Sequence, residues 1–199
     1  MERDALLRGL TELAFAMQQR RQGEGQDSSA LTVLPLASMT PYLDETQQYR
    51  AVSANLLSIN DKVRFSHQLL QEYFVARAMR ERIWGLDGEN KRRDAETQRL
   101  KAEEIWRPDR WWQPTNWEEA AILLAGLYSD DCTPVLDWLA EAQPELAARC
   151  IVESGAATPE DTKLRLRDKW LPRLTDLEAR PRCPRPRRGG PCPGAHYPG

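Results

Sequence analysis

Two short β-compatible runs, LLSI at 56–59 and KVRF at 62–65, are separated only by the polar pair Asn60-Asp61, and a helical pattern starts almost at once behind them. Runs of this kind joined by two polar residues predict a β-hairpin. In the segment that follows, Leu69, Leu70, Tyr73, Phe74, Ala76 and Ile83 form a wide apolar stripe, with Gln68, Glu72, Arg77 and Arg80 on the remaining surface. A histidine, His67, stands at the mouth of that helix, directly after the hairpin.

Upstream, residues 4 to 21 place Leu6, Leu7, Leu10, Leu13, Ala14 and Met17 at helical spacing and end in the polar, glycine-bearing stretch Gln22 to Ser29. Ala30 to Ala37 reads as a short helix or an extended segment, because Pro35 opposes a long helix. From Pro41 to Leu57, the positions of Leu43, Tyr49, Val52, Ala54, Leu56 and Leu57 predict a helix giving way to extended chain. Helix, helix, helix, hairpin, helix is the order of a winged-helix domain, assigned to residues 1–84 with the hairpin as its wing.

Residues 85–115 form a charged and Trp-rich connector. Its run GENKRRDAETQRLKAEE predicts a solvated helix or a loop across the surface. Trp106, Trp111, Trp112 and Trp117 follow within twelve residues, and rings of this size mark packing between two elements. From residue 116 helix signals recur. Asn116 with Glu119 predicts a capping box, with Ala120 to Leu127 as the buried face. Thr133-Pro134, Gln143-Pro144 and Thr158-Pro159 each open a further helix, the last followed by Asp161 and running toward Pro172. Short antiparallel helices with short turns predict HEAT-like helical repeats over 116–179, with core positions at Leu136, Trp138, Leu139, Leu146, Ala147 and Ile151. The last 20 residues hold six Pro, four Gly and five Arg, a composition that predicts a disordered Pro/Arg/Gly tail over 180–199. Its abrupt start reads as a truncated or frame-shifted reading frame. The expected fold class is therefore mainly α: a winged helix with a small β-hairpin, then antiparallel HEAT-like helices.

Composition narrows the function. The longest apolar stretch, Ala120 to Tyr128, is far shorter than the roughly 20 residues that cross a bilayer. Charges at Glu2, Arg3, Asp4, Arg8, Glu12 and Arg20 interrupt any signal-peptide core, so the chain reads as cytoplasmic. The net charge of −2 includes five arginines of the last 20 residues, which hold no acid, so the remainder is strongly acidic and a poor partner for nucleic acid. Cys132, Cys150, Cys183 and Cys192 lack the paired spacing of a zinc site. Cys132 and Cys150 read as reduced thiols that pack helices, while Cys183, Cys192 and His196 fall in the tail and outside any site. No GxxxxGK run followed by Ser or Thr is present, so no phosphate-cradling loop is assigned.

The segment VRFSHQLLQEYFVARAM resembles the motif that closes the winged-helix domain of NACHT-type STAND NTPases, through Phe65, His67, Gln71, Glu72, Tyr73 and Phe74. WWQPTNWEEAAILLAGL resembles the segment joining that domain to helical repeats in bacterial members. Together the resemblance covers residues 4 to 178, the first motif being specific and the repeats generic. It implies a parent ATP-hydrolysing switch in which ADP or ATP with Mg lies between an αβ NTPase domain and the winged helix. His67 would then contact the diphosphate of ADP. An imidazole N–H offers a directional donor to a phosphate oxygen, and an imidazolium adds Coulomb attraction. A charge-assisted contact of about 1 to 3 kcal/mol is enough to bias a closed resting state against an open, oligomerising one.

Partners implied are the missing NACHT domain, other protomers on activation, and a protein bound by the repeats, with no membrane involved. The chain itself then holds no cofactor, no metal and no catalytic residue. Two histidines, one of them in the tail, leave no triad and no metal cluster, and Glu72 has no placed nucleophile or second acid beside it, so it reads as a helix-surface or domain-contact carboxylate. A winged-helix DNA-binding transcriptional regulator is the alternative, but its candidate recognition segment PYLDETQQYRAVSANLL holds Asp44, Glu45 and only Arg50.

Overall fold

A computed structural model describes residues 2–23, 33–83, 100–107 and 115–178. Among them are eight α-helices, one short 3-10 turn and a three-stranded antiparallel sheet. Helix α1 (Glu2–Gly23) opens with Glu2 and Asp4, carboxylates placed at the positive end of the helix dipole. Its expected stripe is the buried one: Leu10, Leu13, Ala14 and Met17 are fully enclosed, with Leu6 and Leu7 at the edge. Gly9 lets the Tyr42–Leu43 backbone lie directly against this helix.

The expected hairpin is present as β2 (Leu57–Ile59) and β3 (Lys62–Phe65), with Leu57 opposite Phe65 and Ile59 opposite Val63. Strand alternation buries Val63 and Phe65 and turns Lys62 and Arg64 outward. The sheet is larger than that hairpin, however. A strand β1 (Leu34–Pro35) pairs with the other edge of β3, Leu34 opposite Val63, giving the order β1-β3-β2. Two residues are too few to show a period, which is why β1 has no signature in the sequence. Pro35 is tolerated because an edge strand does not need every N–H. The 3-10 turn Leu36–Ser38 follows, so Pro35 does mark an extended segment rather than a helix.

Helix α2 (Glu45–Ser53) is capped reciprocally: Gln47 N donates to Asp44 Oδ1 at 2.8 Å and Asp44 N to Gln47 Oε1 at 3.0 Å. Its buried residue is Ala51, whereas Tyr49 (74% exposed) and Val52, expected in the apolar face, point to solvent. Asn55, at φ 55°, ends the helix. Leu56 N donates to Ala51 O and Asn55 N to Val52 O, both at 2.9 Å, which satisfies two terminal carbonyls through a left-handed residue. Glycine carries no Cβ penalty in this conformation, so Asn55→Gly is expected to stabilise the protein by up to about 1 kcal/mol in chemical denaturation. Asn55→Val should destabilise it, and the reverse order would show that the left-handed conformation is not what selects asparagine here.

Helix α3 (Gln68–Arg82) is the centre of the fold, packed between α1 on one side and α5 on the other. Enclosure from two sides buries Phe74, Val75, Ala76, Ala78 and Met79 and also brings Gln71 and Glu72 inside. Two expectations are corrected here. Leu69, placed in the apolar stripe, is 62% exposed, and Glu72, placed on the surface, is 6% exposed. Burial of Glu72 is compatible with its polarity because Gln68 Nε2 donates to its Oε1 at 2.7 Å.

Across these helices, Arg82 pairs with Glu12 and lies 4.2 Å from the Phe15 ring centroid. Gln18 Nε2 donates to the Asn116 carbonyl, and Phe15 meets Trp117 edge to face at 5.6 Å. Trp106 meets Trp138 in the same manner at 5.8 Å, and Trp138 Nε1 donates to Leu100 O at 3.1 Å. Trp106 and Trp117 are both 1% exposed, so these two rings do join elements, as their clustering suggests; Trp111 and Trp112 lie outside the described residues. Not all of the connector is a solvated face: Ala102, Ile105 and Trp106, on and beside helix α4 (Ala102–Ile105), are buried. Leu100 N donates to Arg82 O at 3.2 Å, so the chain leaves α3 and returns to the same point. The rest of the charged run, and the expected tail at 180–199, lie outside the described residues.

Four helices complete the chain: α5 (Glu118–Gly126), α6 (Thr133–Leu139), α7 (Pro144–Glu153) and α8 (Glu160–Glu178). Pro134 and Pro144 lie in first turns, as expected, while α8 runs through Pro172 rather than stopping at it. Helix α5 starts one residue later than the expected Asn116 and Glu119 capping box: its N-cap is Trp117, whose side chain makes no capping bond, and the polar contacts lie just upstream. Thr115 Oγ1 accepts from Trp117 N at 3.2 Å, and the Glu118 carboxylate accepts from Thr115 N. The Asn116 backbone carbonyl accepts from Gln18, and Glu119, expected to reach back to the helix start, pairs with Arg149 instead.

The helices stack in a regular register. Arg149 meets Glu119 and Cys150 Sγ meets Ala121 O across α5 and α7. Thr162 meets Thr133, Arg165 meets Asp137, Lys169 meets Glu141 and Trp170 Nε1 meets Ala140 O across α6 and α8. Each of these partners is 28 to 30 residues away, so α7 lies against α5 and the side chains of α8 reach α6 and the residues just after it. Leu136, Leu139, Leu146 and Ala147 are buried as expected, with Trp138 and Ile151 half-buried. Cys132 and Cys150 are free and buried. Burial pushes the Cys150 thiol up to about 12, which suppresses the reactive thiolate at neutral pH.

Candidate functional site: the junction of β3 and α3

The hairpin delivers His67 to the N-terminal end of α3. Ser66 N donates to Leu56 O at 3.0 Å, tying the end of β3 back to the start of β2. His67 itself is extended (φ −134°, ψ 139°), and its carbonyl accepts from Leu70 N at 3.1 Å and Gln71 N at 3.4 Å. The backbone of His67 thus starts the helix while its side chain makes no capping hydrogen bond. The imidazole is exposed.

The six motif residues divide sharply in their environment. Phe65 and Phe74 are buried with ring centroids 5.7 Å apart, and Tyr73 meets Phe74 edge to face at 5.5 Å. Gln71 and Glu72 are buried too. Among the six, His67 is the one on the surface. The Phe65–Phe74 contact therefore ties the hairpin to α3, and His67, between them in sequence, stands outside that packing. Arg64, on the outward side of β3, and exposed Leu69 on the first turn of α3 flank the junction in sequence, while Lys62 stands at the far end of β3 beside the hairpin turn.

Chemically, the junction presents an exposed imidazole, a directional donor and acceptor, directly ahead of the N-terminus of α3. Among the described residues no group of three or more His, Cys, Asp or Glu could hold a metal ion, and no helix is long and apolar enough to cross a membrane. His196 lies outside the described residues. Sequence reasoning missed the link of Arg82 to Glu12 and Phe15, because Arg82 and Glu12 are 70 residues apart and no local spacing joins them. Compared with known proteins, the chain matches no family model, no curated protein and no solved structure.

Proposed function

We propose that this chain is the regulatory and scaffolding part of a NACHT-type signalling NTPase, in which a winged helix latches the ADP-bound state and HEAT-like repeats sense a signal or bind a protein. On this reading the chain carries no catalytic residue, and ADP or ATP with Mg belongs to the NTPase domain of the parent. The observation that most supports it is His67, which is exposed at the surface beside the Phe65–Phe74 contact instead of being consumed as a core or capping residue. A strand before α2 that pairs with the central strand of the sheet is further consistent with a winged helix. Regular stacking of α5 and α6 on α7 and α8 is consistent with helical repeats.

A DNA-binding role has less behind it. Helix α2 begins with Asp44 and Glu45, and its Arg50 is paired with Glu2 at 2.7 Å.

The test begins with the reading frames around the coding region, where a Walker-type loop upstream is expected. In the reconstructed parent, His67→Ala should speed ADP release on the order of tenfold and increase self-association, consistent with loss of one charge-assisted hydrogen bond. The fold should be unaffected, with stability changed by less than about 0.5 kcal/mol, since the side chain is exposed and caps nothing. Unchanged ADP release in a well-folded variant would remove His67 from the mechanism.

A further inference from the structure

The two faces of α8 differ in a way the proposed function does not use. Its inner face is accounted for: Leu166 is fully buried, Thr162 meets Thr133, and Arg165, Lys169 and Trp170 reach Asp137, Glu141 and the Ala140 carbonyl. The outer face presents Leu164, Arg167, Asp168 and Leu171, at i, i+3, i+4 and i+7, which is one stripe along a helix. All four are exposed, Leu164 by 45% and Leu171 by 56%, with the Arg167 and Asp168 side chains at 63% and 66%.

This stripe reads the same in both directions. A two-fold axis passing between residues 167 and 168 sets Leu164 of one copy opposite Leu171 of the other, and Arg167 opposite Asp168. An antiparallel pair of identical helices therefore matches apolar to apolar at its ends and cation to anion, twice, at its centre. The ion pair that Arg167 and Asp168 make within each chain, at 2.7 Å, joins neighbouring residues on the surface, so exchanging the two such pairs for two between chains sacrifices little. Such self-complementarity is the condition for an isologous interface.

We infer that a second copy of this chain docks on the outer face of α8, antiparallel, to form a two-fold dimer. The surface is one helix wide, so the dimer is weak and concentration-dependent, in the class of transient contacts. This inference does not rest on the nucleotide reading: His67 is on another element, and either idea can fail alone.

The experiment uses the full chain in sedimentation velocity over a wide concentration range, with three variants. Wild type should show a reversible monomer–dimer equilibrium. Arg167→Asp alone, or Asp168→Arg alone, should weaken it on the order of tenfold or more, because symmetry counts each change twice. Mixing the two single variants should restore association as a heterodimer, since one chain then presents two carboxylates at the centre of the stripe and the other presents two guanidinium groups. The double exchange, Arg167→Asp with Asp168→Arg, should restore the homodimer. These positions are exposed, so circular dichroism should be unchanged in all of them. A wild-type chain that stays monomeric throughout overturns the inference. So does association that ignores the single reversals, which would place the contact elsewhere, or a failure of the mixture to recover.

Discussion

Replacing Trp117 by alanine is expected to destabilise the protein by about 3 to 5 kcal/mol, the range for deleting a large buried aromatic. Trp117 is 1% exposed, stands at the N-cap of α5, and meets the Phe15 ring of α1 edge to face at 5.6 Å. Its removal empties the volume where the first helix and the C-terminal helices touch. Domains commonly have about 5 to 15 kcal/mol of stability in total, so this one side chain accounts for a large share. Its Nε1 has no hydrogen-bond partner among the described residues, so the loss is one of packing. Trp117→Phe should consequently cost less than half as much. Guanidinium denaturation of the three proteins checks the order, and equal losses for Phe and Ala would show that the indole nitrogen matters after all.

Gly9→Ala sets two effects of opposite sign against each other. In the interior of α1, alanine is favoured over glycine by about 1 kcal/mol of helix propensity. Yet a Cβ at residue 9 would overlap the Tyr42 carbonyl oxygen and lie 2.6 Å from Leu43 Cδ2. The Leu43 side chain has other rotamers, but the carbonyl belongs to a backbone fixed by Tyr42 N donating to Met39 O at 2.9 Å and Leu43 N to the same oxygen at 3.2 Å. Overpacking against backbone costs about 1 to 3 kcal/mol and should win, with a net loss that grows for Gly9→Val. A rise in melting temperature for Gly9→Ala would mean that the Tyr42–Leu43 segment yields easily.

How far the sequence discloses this fold depends on how local each cause is. The hairpin, the stripe of α1 and the prolines opening α6 and α7 rest on spacings of a few residues, and the structure has them where those spacings indicate. Where burial comes from two sides, local spacing misleads. On α3 the inward arc takes in Glu72 and leaves out Leu69, because α1 and α5 together decide what is enclosed. Tyr49 and Val52 mislead for the opposite reason, since α2 is covered only at Ala51. At the start of α5, the Glu119 carboxylate expected to reach back to Asn116 pairs instead with Arg149, 30 residues later, which no local spacing reveals. At the candidate site the motif singled out His67 by residue type and spacing. Only three-dimensional packing distinguishes its exposed imidazole from the other five motif residues, which are buried or half-buried.

The placement of α1 has a consequence during synthesis. Leu10, Leu13, Ala14 and Met17 are sheltered by α3, and Phe15 and Gln18 by residues 116 and 117, which the ribosome makes about a hundred residues later. At roughly 5 to 20 residues per second the side of the nascent helix that faces α3 waits about 3 to 12 s, and Phe15 and Gln18 about 5 to 20 s, before their partners exist. Throughout that interval it is a substrate for chaperones and for aggregation, whereas α5 to α8, with partners about 30 residues away, can close on one another almost as soon as they emerge.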